Sequence, residues 1–198
     1  LKIYNIVYNI SMDKILKNLI NTLIIISIIL LFSSCSQRTK TITLTNIAVD
    51  VPEDFKAGFL DGTVAIDNTV AFNESYGVER NTAIYTVAYT KYKPIYNGAV
   101  TLEKARNDIV NGLKNNQFIK EFEIVNEGPV EGPNNSYKIL LSFYYGPNKT
   151  YHKSFSMVHE NGLLQIICMY NANSKKDDRE IENIIKSVRI VDSSNTNN

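Results

Sequence analysis

The sequence predicts an α+β fold, in which helices pack on one mostly antiparallel sheet. The segment Thr82–Tyr92 is rich in β-branched and aromatic residues, which is typical of a strand. Residues Thr101–Asn115 change to a helical period, and further strand-like segments follow before a closing helix. Because no strand–helix unit repeats along the chain, antiparallel pairing is favoured over a parallel sheet.

A hairpin is predicted at the start of the domain, from Thr41–Leu44 and Ile47–Val51. Pro52 ends its second strand, because proline has no N–H group to donate to a sheet. Turn signals follow at Asp61-Gly62 and Asp67-Asn68.

The first helix is predicted over Thr101–Asn115, with Thr101 as N-cap and Glu103 near its positive end. Its apolar stripe consists of Leu102, Ala105, Ile109 and Leu113. A strand is predicted next, over Phe118–Val125. The repeated Glu-Gly-Pro triplets at 127–129 and 131–133 are then interpreted as a bend or loop.

Three strands in series follow, and the last two form a hairpin. Their predicted bounds are Ser136–Tyr145, Tyr151–Glu160 and Leu163–Asn171. Asn161-Gly162 predicts a two-residue type I′ turn. That turn pairs Phe155 with Cys168, Met157 with Ile166, and His159 with Leu164. Phe155, Met157, Ile166 and Cys168 then share one apolar face, and His152 lies on the other.

A closing helix is predicted after Ser174, which can cap its N-terminus. Asp177 and Asp178 lie at its positive end, and Lys186 and Arg189 lie near its negative end. Its buried stripe consists of Ile181, Ile184, Ile185 and Val188. The last residues, 192–198, are interpreted as a disordered polar tail.

The N-terminal segment has the three parts of a secretory signal. Met12 is a plausible start, Lys14 and Lys17 are basic, and Leu23–Phe32 is apolar apart from one serine. Ten residues are too few to span a bilayer, which needs roughly 20. Residues 1–11 are interpreted as an upstream extension, so 1–34 comprise this extension and the signal peptide.

The segment Leu31-Phe32-Ser33-Ser34-Cys35 resembles the lipobox of bacterial lipoproteins. This resemblance implies cleavage before Cys35 and lipidation of its sulfur, with 35–40 as a short tether. The alternative is an incidental cysteine behind an ordinary signal. Ser36 stands where aspartate would retain a lipoprotein in the inner membrane, which favours an outer-membrane anchor facing the periplasm.

Removal of 34 residues from the 198 leaves 164, enough for the single domain predicted over 41–191. With 18 basic and 19 acidic residues remaining, the mature net charge is −1. Such a chain has no basic field for phosphates, which excludes nucleic acid as an expected partner. Because Cys168 is the one cysteine besides Cys35, no internal disulfide is expected.

Four features together resemble the PsbP/Mog-type α/β/α sandwich family. They are the segment 47–55 (IAVDVPEDF), the helix start 102–105 (LEKA), the meandering strands of 136–171, and the helix end 184–188 (IIKSV). The resemblance covers about residues 41–191. It implies the fold and a role in binding partners or supporting assemblies, with no shared catalytic residues to transfer.

The sequence contains no recognisable catalytic, cofactor or metal motif. His152 and His159 are seven residues apart in one strand and therefore face opposite sides. Cys168 is expected in the core, away from His152, so these two form no nucleophile–base pair. Tyr85, Tyr89, Tyr92 and Tyr96 are either a stacking platform or ordinary strand side chains.

The function expected from these observations is a non-catalytic, lipid-anchored envelope module. Its partners are the membrane, through Cys35, and a protein or other envelope component. No enzyme activity, cofactor or metal is expected. Two alternatives remain open: a hydrolase-type enzyme whose site is dispersed in sequence, and an envelope inhibitor or immunity protein.

Overall fold

The computed structural model describes residues 38–60, 69–96, 98, 100–130 and 135–191. The signal segment, Cys35 and the disordered tail predicted over 192–198 lie outside the described residues. The same holds for the turn signals at 61–68 and for the second Glu-Gly-Pro triplet.

The architecture is built on a seven-stranded sheet in which every neighbouring pair is antiparallel. Its strand order is β3-β4-β5-β9-β8-β7-β6. The bounds are β3 Lys56–Ala57, β4 Val70–Glu79, β5 Ala83–Tyr92, β6 Ile119–Pro129, β7 Ser136–Tyr145, β8 Asn148–His159 and β9 Gly162–Asn171. The central strands β5, β7, β8 and β9 confirm the strands predicted over Thr82–Tyr92, Ser136–Tyr145, Tyr151–Glu160 and Leu163–Asn171.

A second sheet has three strands, in the order β1-β2-β10. They are β1 Thr39–Leu44, β2 Ile47–Pro52 and β10 Arg189–Ile190. The predicted hairpin is confirmed, but β1 starts two residues before Thr41. Thr39 and Lys40, assigned to the tether, pair with Pro52 and Val51. The Lys40 ammonium also donates to the Phe55 carbonyl, which ties the start of β1 to the segment after β2.

Both predicted helices are present, with their predicted caps. Helix α1 is Leu102–Lys114 and α2 is Lys175–Lys186, and a 3₁₀ turn spans Pro94–Tyr96. Thr101 Oγ1 accepts the N–H of Lys104, and Ser174 Oγ accepts that of Asp177. Arg189, predicted at the negative end of the helix, lies beyond it in β10 and pairs with Asp50 instead.

The large sheet is covered on both faces, as expected for the α+β class. We call the two faces the α1 face and the α2 face. Helix α2 and the small sheet cover the α2 face, and Ile181, Ile184, Phe155 and Ile166 belong to one buried hydrophobic core there. On the α1 face, Val110 packs on Ile139 and Leu141. Val110 is the most buried large residue of α1 although it lies outside the predicted stripe.

The predicted β8–β9 turn lies one residue too far along the chain, so the predicted pairing is wrong by two residues, although the predicted faces are confirmed. Phe155 pairs with Ile166, Met157 with Leu164 and His159 with Gly162, so Glu160-Asn161 form the loop. Glu160 has φ 52°, whereas Gly162 lies within the strand without a positive φ. Asn161 is tied to β5, because its carbonyl and side chain both bond the Tyr92 backbone.

Edge strand β6 is longer and more irregular than predicted. It runs to Pro129, so the first Glu-Gly-Pro triplet belongs to the strand rather than to a loop. Proline is tolerated there because an edge strand has one unpaired side. The register shifts twice, between Lys120 and Glu123 and between Ile124 and Asn126, and Glu121 has φ 52°.

Candidate binding cleft

A cleft of about 600 Å³ opens on the α1 face, at the end of the sheet beside the C-terminus of α1. Its floor comes from the face of the sheet, and its rim comes from strand ends and the segments that connect them. The residues used below are Ile84, Leu113, Ile119, Phe143, Tyr145, Thr150 and Met169 on the apolar side, and Asn81, Asn116, Asn148 and Asn171 on the polar side.

The sheet register places the floor residues in rows across neighbouring strands. Phe143 pairs with Thr150, which pairs in turn with Asn171. Directly opposed residues point to the same side of an antiparallel sheet, so these three share the α1 face. Ile84 and Met169 pair in the next row. The floor is therefore held by interior strands and needs no loop to form.

An exposed aromatic ring and a carboxamide stand side by side at the outer edge of the cleft. Tyr145 and Asn148 are directly paired across the tight turn at Gly146-Pro147. Gly146 has φ 62°, a conformation that glycine adopts without strain. Tyr145 is 58% exposed, although the neighbouring floor residue Phe143 is buried.

Two of the rim carboxamides are oriented by their own turns. The N–H of Phe118 donates to Asn116 Oδ1 over 2.9 Å, just after α1. The N–H of Asn173 donates to Asn171 Oδ1 over 3.0 Å, just after β9. Asparagine carries both an acceptor and two donors, so fixing the oxygen also fixes the amide nitrogen.

The described lining carries one acid, Glu79, and one base, Arg80. The Arg80 guanidinium is already engaged, because it donates to both oxygens of Asp54 and to Glu180. It also lies 5.1 Å from the centre of the Tyr85 ring. The cleft is thus largely uncharged, which disfavours an anionic or cationic ligand.

A separate ionic cluster lies on the α2 face, and we call it the Lys153 cluster. The Lys153 ammonium donates to Asp178 and, over 2.9 Å, to Glu182. Lys138 also donates to Glu182, and the Tyr170 hydroxyl donates to Asp178. Burial alone would raise the pKa of Asp178, but hydrogen bonds from Lys153 and Tyr170 outweigh it and the pKa lies below its usual range.

This cluster gives the acidic start of α2 more than the predicted dipole role. Asp177 is buried and accepts hydrogen bonds from the hydroxyls of Tyr85 and Ser174. Together with Asp178, Asp177 links α2 to strands β5, β8 and β9 through side-chain hydrogen bonds.

Within the part of the chain that the structure describes, no group of three His, Cys, Asp or Glu residues is arranged to hold a metal ion.

The structure separates the sequence-predicted chemical groups, as the strand periodicity predicted. Cys168 is fully buried on the α2 face, and burial raises the pKa of its thiol. His152 is buried on the α1 face, and burial lowers the pKa of its imidazole to about 4. Neither His152 nitrogen, nor the buried Ser154 Oγ beside it, has a hydrogen-bond partner among the described residues.

The four tyrosines do not form one stacking platform. Tyr85 and Tyr89 are buried in the core on the α2 face. Tyr92 and Tyr96 line a smaller hollow of about 120 Å³ near the start of α1. The ordinary interpretation of Tyr85 and Tyr89 as packed strand residues is therefore confirmed.

Lipidation of Cys35 remains a prediction, because that residue lies outside the described range.

Comparison with solved structures shows the fold. The chain is similar to cyanobacterial PsbP from Synechocystis sp. PCC 6803, with a TM-score of 0.55 and 10% identity over 78% of this chain and 94% of that one. That similarity shows a common α+β fold, as the resemblance implied, and at this identity it shows the fold alone. No family model and no curated protein matches the chain.

Two further structures are similar with lower scores. The Ran-binding protein Mog1p of Saccharomyces cerevisiae has a TM-score of 0.49 and 13% identity, over 80% of this chain and 98% of its own. LpqN of Mycobacterium tuberculosis, involved in cell envelope biogenesis, has a TM-score of 0.45 and 11% identity, over 78% and 91%. Among the helices of the described ranges, none has the length and apolar content that a transmembrane span requires.

Proposed function

We propose that this chain is a non-catalytic binding module, lipid-anchored at Cys35 in a bacterial cell envelope, and that it binds its partner through the cleft. The observation that carries the binding role is the cleft itself. An apolar floor with a few fixed polar groups at its rim is the usual composition of a ligand site.

The placement of the reactive groups supports binding over catalysis. A general base must come within about 3 Å of the group that it serves, directly or through one water. Cys168 points into the core on the α2 face, and His152 is buried on the α1 face. Burial also raises the pKa of the Cys168 thiol, which disfavours the reactive thiolate.

The envelope location rests on the N-terminal sequence. The apolar segment Leu23–Phe32, followed by Ser33-Ser34-Cys35, has the layout of a lipoprotein signal. Ser36 favours the outer membrane, with the domain facing the periplasm. Stable attachment requires more than one acyl chain, and lipoprotein processing supplies several at the cysteine.

The anchor is tested by labelling cells with a palmitate analogue. Wild type and the control variant Cys168→Ser should both incorporate the label, whereas Cys35→Ser should not. Label retained by Cys35→Ser would refute the anchor and leave the binding role of the domain untouched.

The binding role is tested by recovering the lipidated protein from membranes and identifying what comes with it. A specific partner should be lost with Tyr145→Ala and kept with Tyr144→Ala, because Tyr144 precedes Tyr145 and points to the opposite face. Equal recovery with both variants would place binding elsewhere on the domain. Turnover of a hydrolase substrate panel by wild type would instead support the enzyme alternative.

A further inference from the structure

We propose that the cleft binds an uncharged saccharide, with one sugar ring against Tyr145 and its hydroxyls at the carboxamide rim. This inference rests on the proposed function and names the ligand class of the same site. It is carried by three features of the cleft: the exposed aromatic ring, the oriented amides, and the lack of available charge.

The ring at Tyr145 provides the surface that a sugar needs. One face of a pyranose presents C–H groups, and its edges present hydroxyls. Tyr145 is 58% exposed at the cleft edge, and the Phe143 and Met169 side chains continue the apolar floor inward. Tyrosine combines a large apolar face with a polar tip and therefore suits such an amphipathic ring.

The rim matches hydroxyl groups. A hydroxyl both donates and accepts, and so does a carboxamide. Asn81 and Asn116 lie in connecting segments, Asn148 begins β8 and Asn171 ends β9, and all four border the same cleft. The oxygens of Asn116 and Asn171 already accept backbone N–H groups, so their amide nitrogens are held in place as donors.

The charge distribution favours a neutral ligand over a phosphorylated or carboxylated one. The one basic side chain among the described lining residues is Arg80, whose guanidinium is bound by Asp54 and Glu180. The one lining carboxylate, Glu79, would repel an anion.

The sheet topology disfavours an added peptide strand as the occupant. Strands β5, β9, β8 and β7, which supply the floor, each have a partner on both sides. Their backbone groups are used within the sheet, so β-strand addition, which needs an exposed sheet edge, is not available in the cleft. Recognition there must come from side chains, and these are an aromatic ring and amides.

The test uses the full chain in lipid nanodiscs, with saturation-transfer NMR and calorimetry. The probes are three neutral tetrasaccharides (chitotetraose, maltotetraose and cellotetraose), decanol, and N-acetyl-trialanine amide. We expect at least one saccharide to bind with a Kd below about 10 mM. Tyr145→Ala and Asn148→Ala should each weaken binding by about tenfold or more, which corresponds to about 1.4 kcal/mol.

Matched controls are Tyr144→Ala, on the opposite face of the same strand, and Asn126→Ala, on edge strand β6. Both should bind the saccharide within about twofold of wild type. If decanol or the peptide binds and no saccharide does, the saccharide assignment is refuted while a binding role survives. If no probe binds and membranes yield no cleft-dependent partner, both proposals are refuted.

Discussion

Replacement of Gly162 by alanine tests how closely the Tyr89 side chain of β5 packs over Gly162 of β9. A Cβ atom at this position would lie 2.2 Å from Tyr89 Oη and 2.4 Å from Tyr89 Cζ. Real Cβ atoms essentially never come closer than 3.0 Å to another heavy atom, so something must shift. Tyr89 is fully buried and has little room to move.

The loss of stability expected for Gly162→Ala follows from the overpacking of a filled core. Inserting a methyl group into a well-packed site costs about 1–3 kcal/mol. The backbone adds nothing further, because Gly162 does not have a positive φ. We expect Gly162→Ala to lower the free energy of unfolding by about 2 kcal/mol, and the melting temperature by about 4–8 °C for a domain of this size.

Urea unfolding of the full chain, followed by circular dichroism, measures this cost at constant m-value. The control is Gly128→Ala, since no heavy atom lies within 4 Å of a Cβ there and φ is not positive. Its effect should stay within about 1 kcal/mol. A double-mutant cycle with Tyr89→Ala should show coupling above about 0.5 kcal/mol. Equal effects of the two glycine variants, or strict additivity with Tyr89, would refute the close approach.

Three further outcomes are expected. The folded state keeps His152 neutral down to about pH 4, whereas the unfolded chain binds that proton below about 6.5, so stability should fall between these values as pH falls, by up to about 3 kcal/mol. Urea midpoints against pH should lose this slope in His152→Leu and keep it in His159→Leu. Lys153→Met should cost about 3 kcal/mol, because its buried ammonium joins two carboxylates, whereas Lys138→Met, at a more exposed amine, should cost under about 1 kcal/mol; similar costs would contradict the burial argument. Cys168 should resist iodoacetamide in the native protein and react after unfolding, and rapid native labelling would contradict its burial.

Periodicity in the sequence predicted the helices, the central strands and their faces. The β8–β9 register shows why faces are more predictable than pairing. The observed pairing differs from the predicted one by two residues, so Phe155 and Met157 have other partners than predicted. Each side chain still lies on its predicted face, because side chains along a strand alternate with a period of two. The glycine that suggested the turn is instead required by the Tyr89 ring, a long-range contact that the local sequence does not reveal.

The cleft was not predictable for a related reason. Its rim asparagines, at positions 81, 116, 148 and 171, lie in connecting segments or at strand ends beside turns, where asparagine is common for local reasons. Only the folded sheet brings them together. The Lys153 cluster was likewise not predictable, since Lys153 lies within a strand and its partners Asp178 and Glu182 belong to α2, far along the chain. Strand β4 was missed because its central residues, Asn73-Glu74-Ser75, are polar.

The irregular course of β6 has a consequence for self-association. A long, regular edge strand would offer a template for stacking chains into fibrils. Here two register shifts, the positive φ of Glu121, and the charges of Lys120 and Glu123 interrupt the edge over its first half. At the opposite edge, β3 is two residues long. Pairing of further chains is therefore hindered along β6 and along the short β3, which limits fibril growth from these two strands.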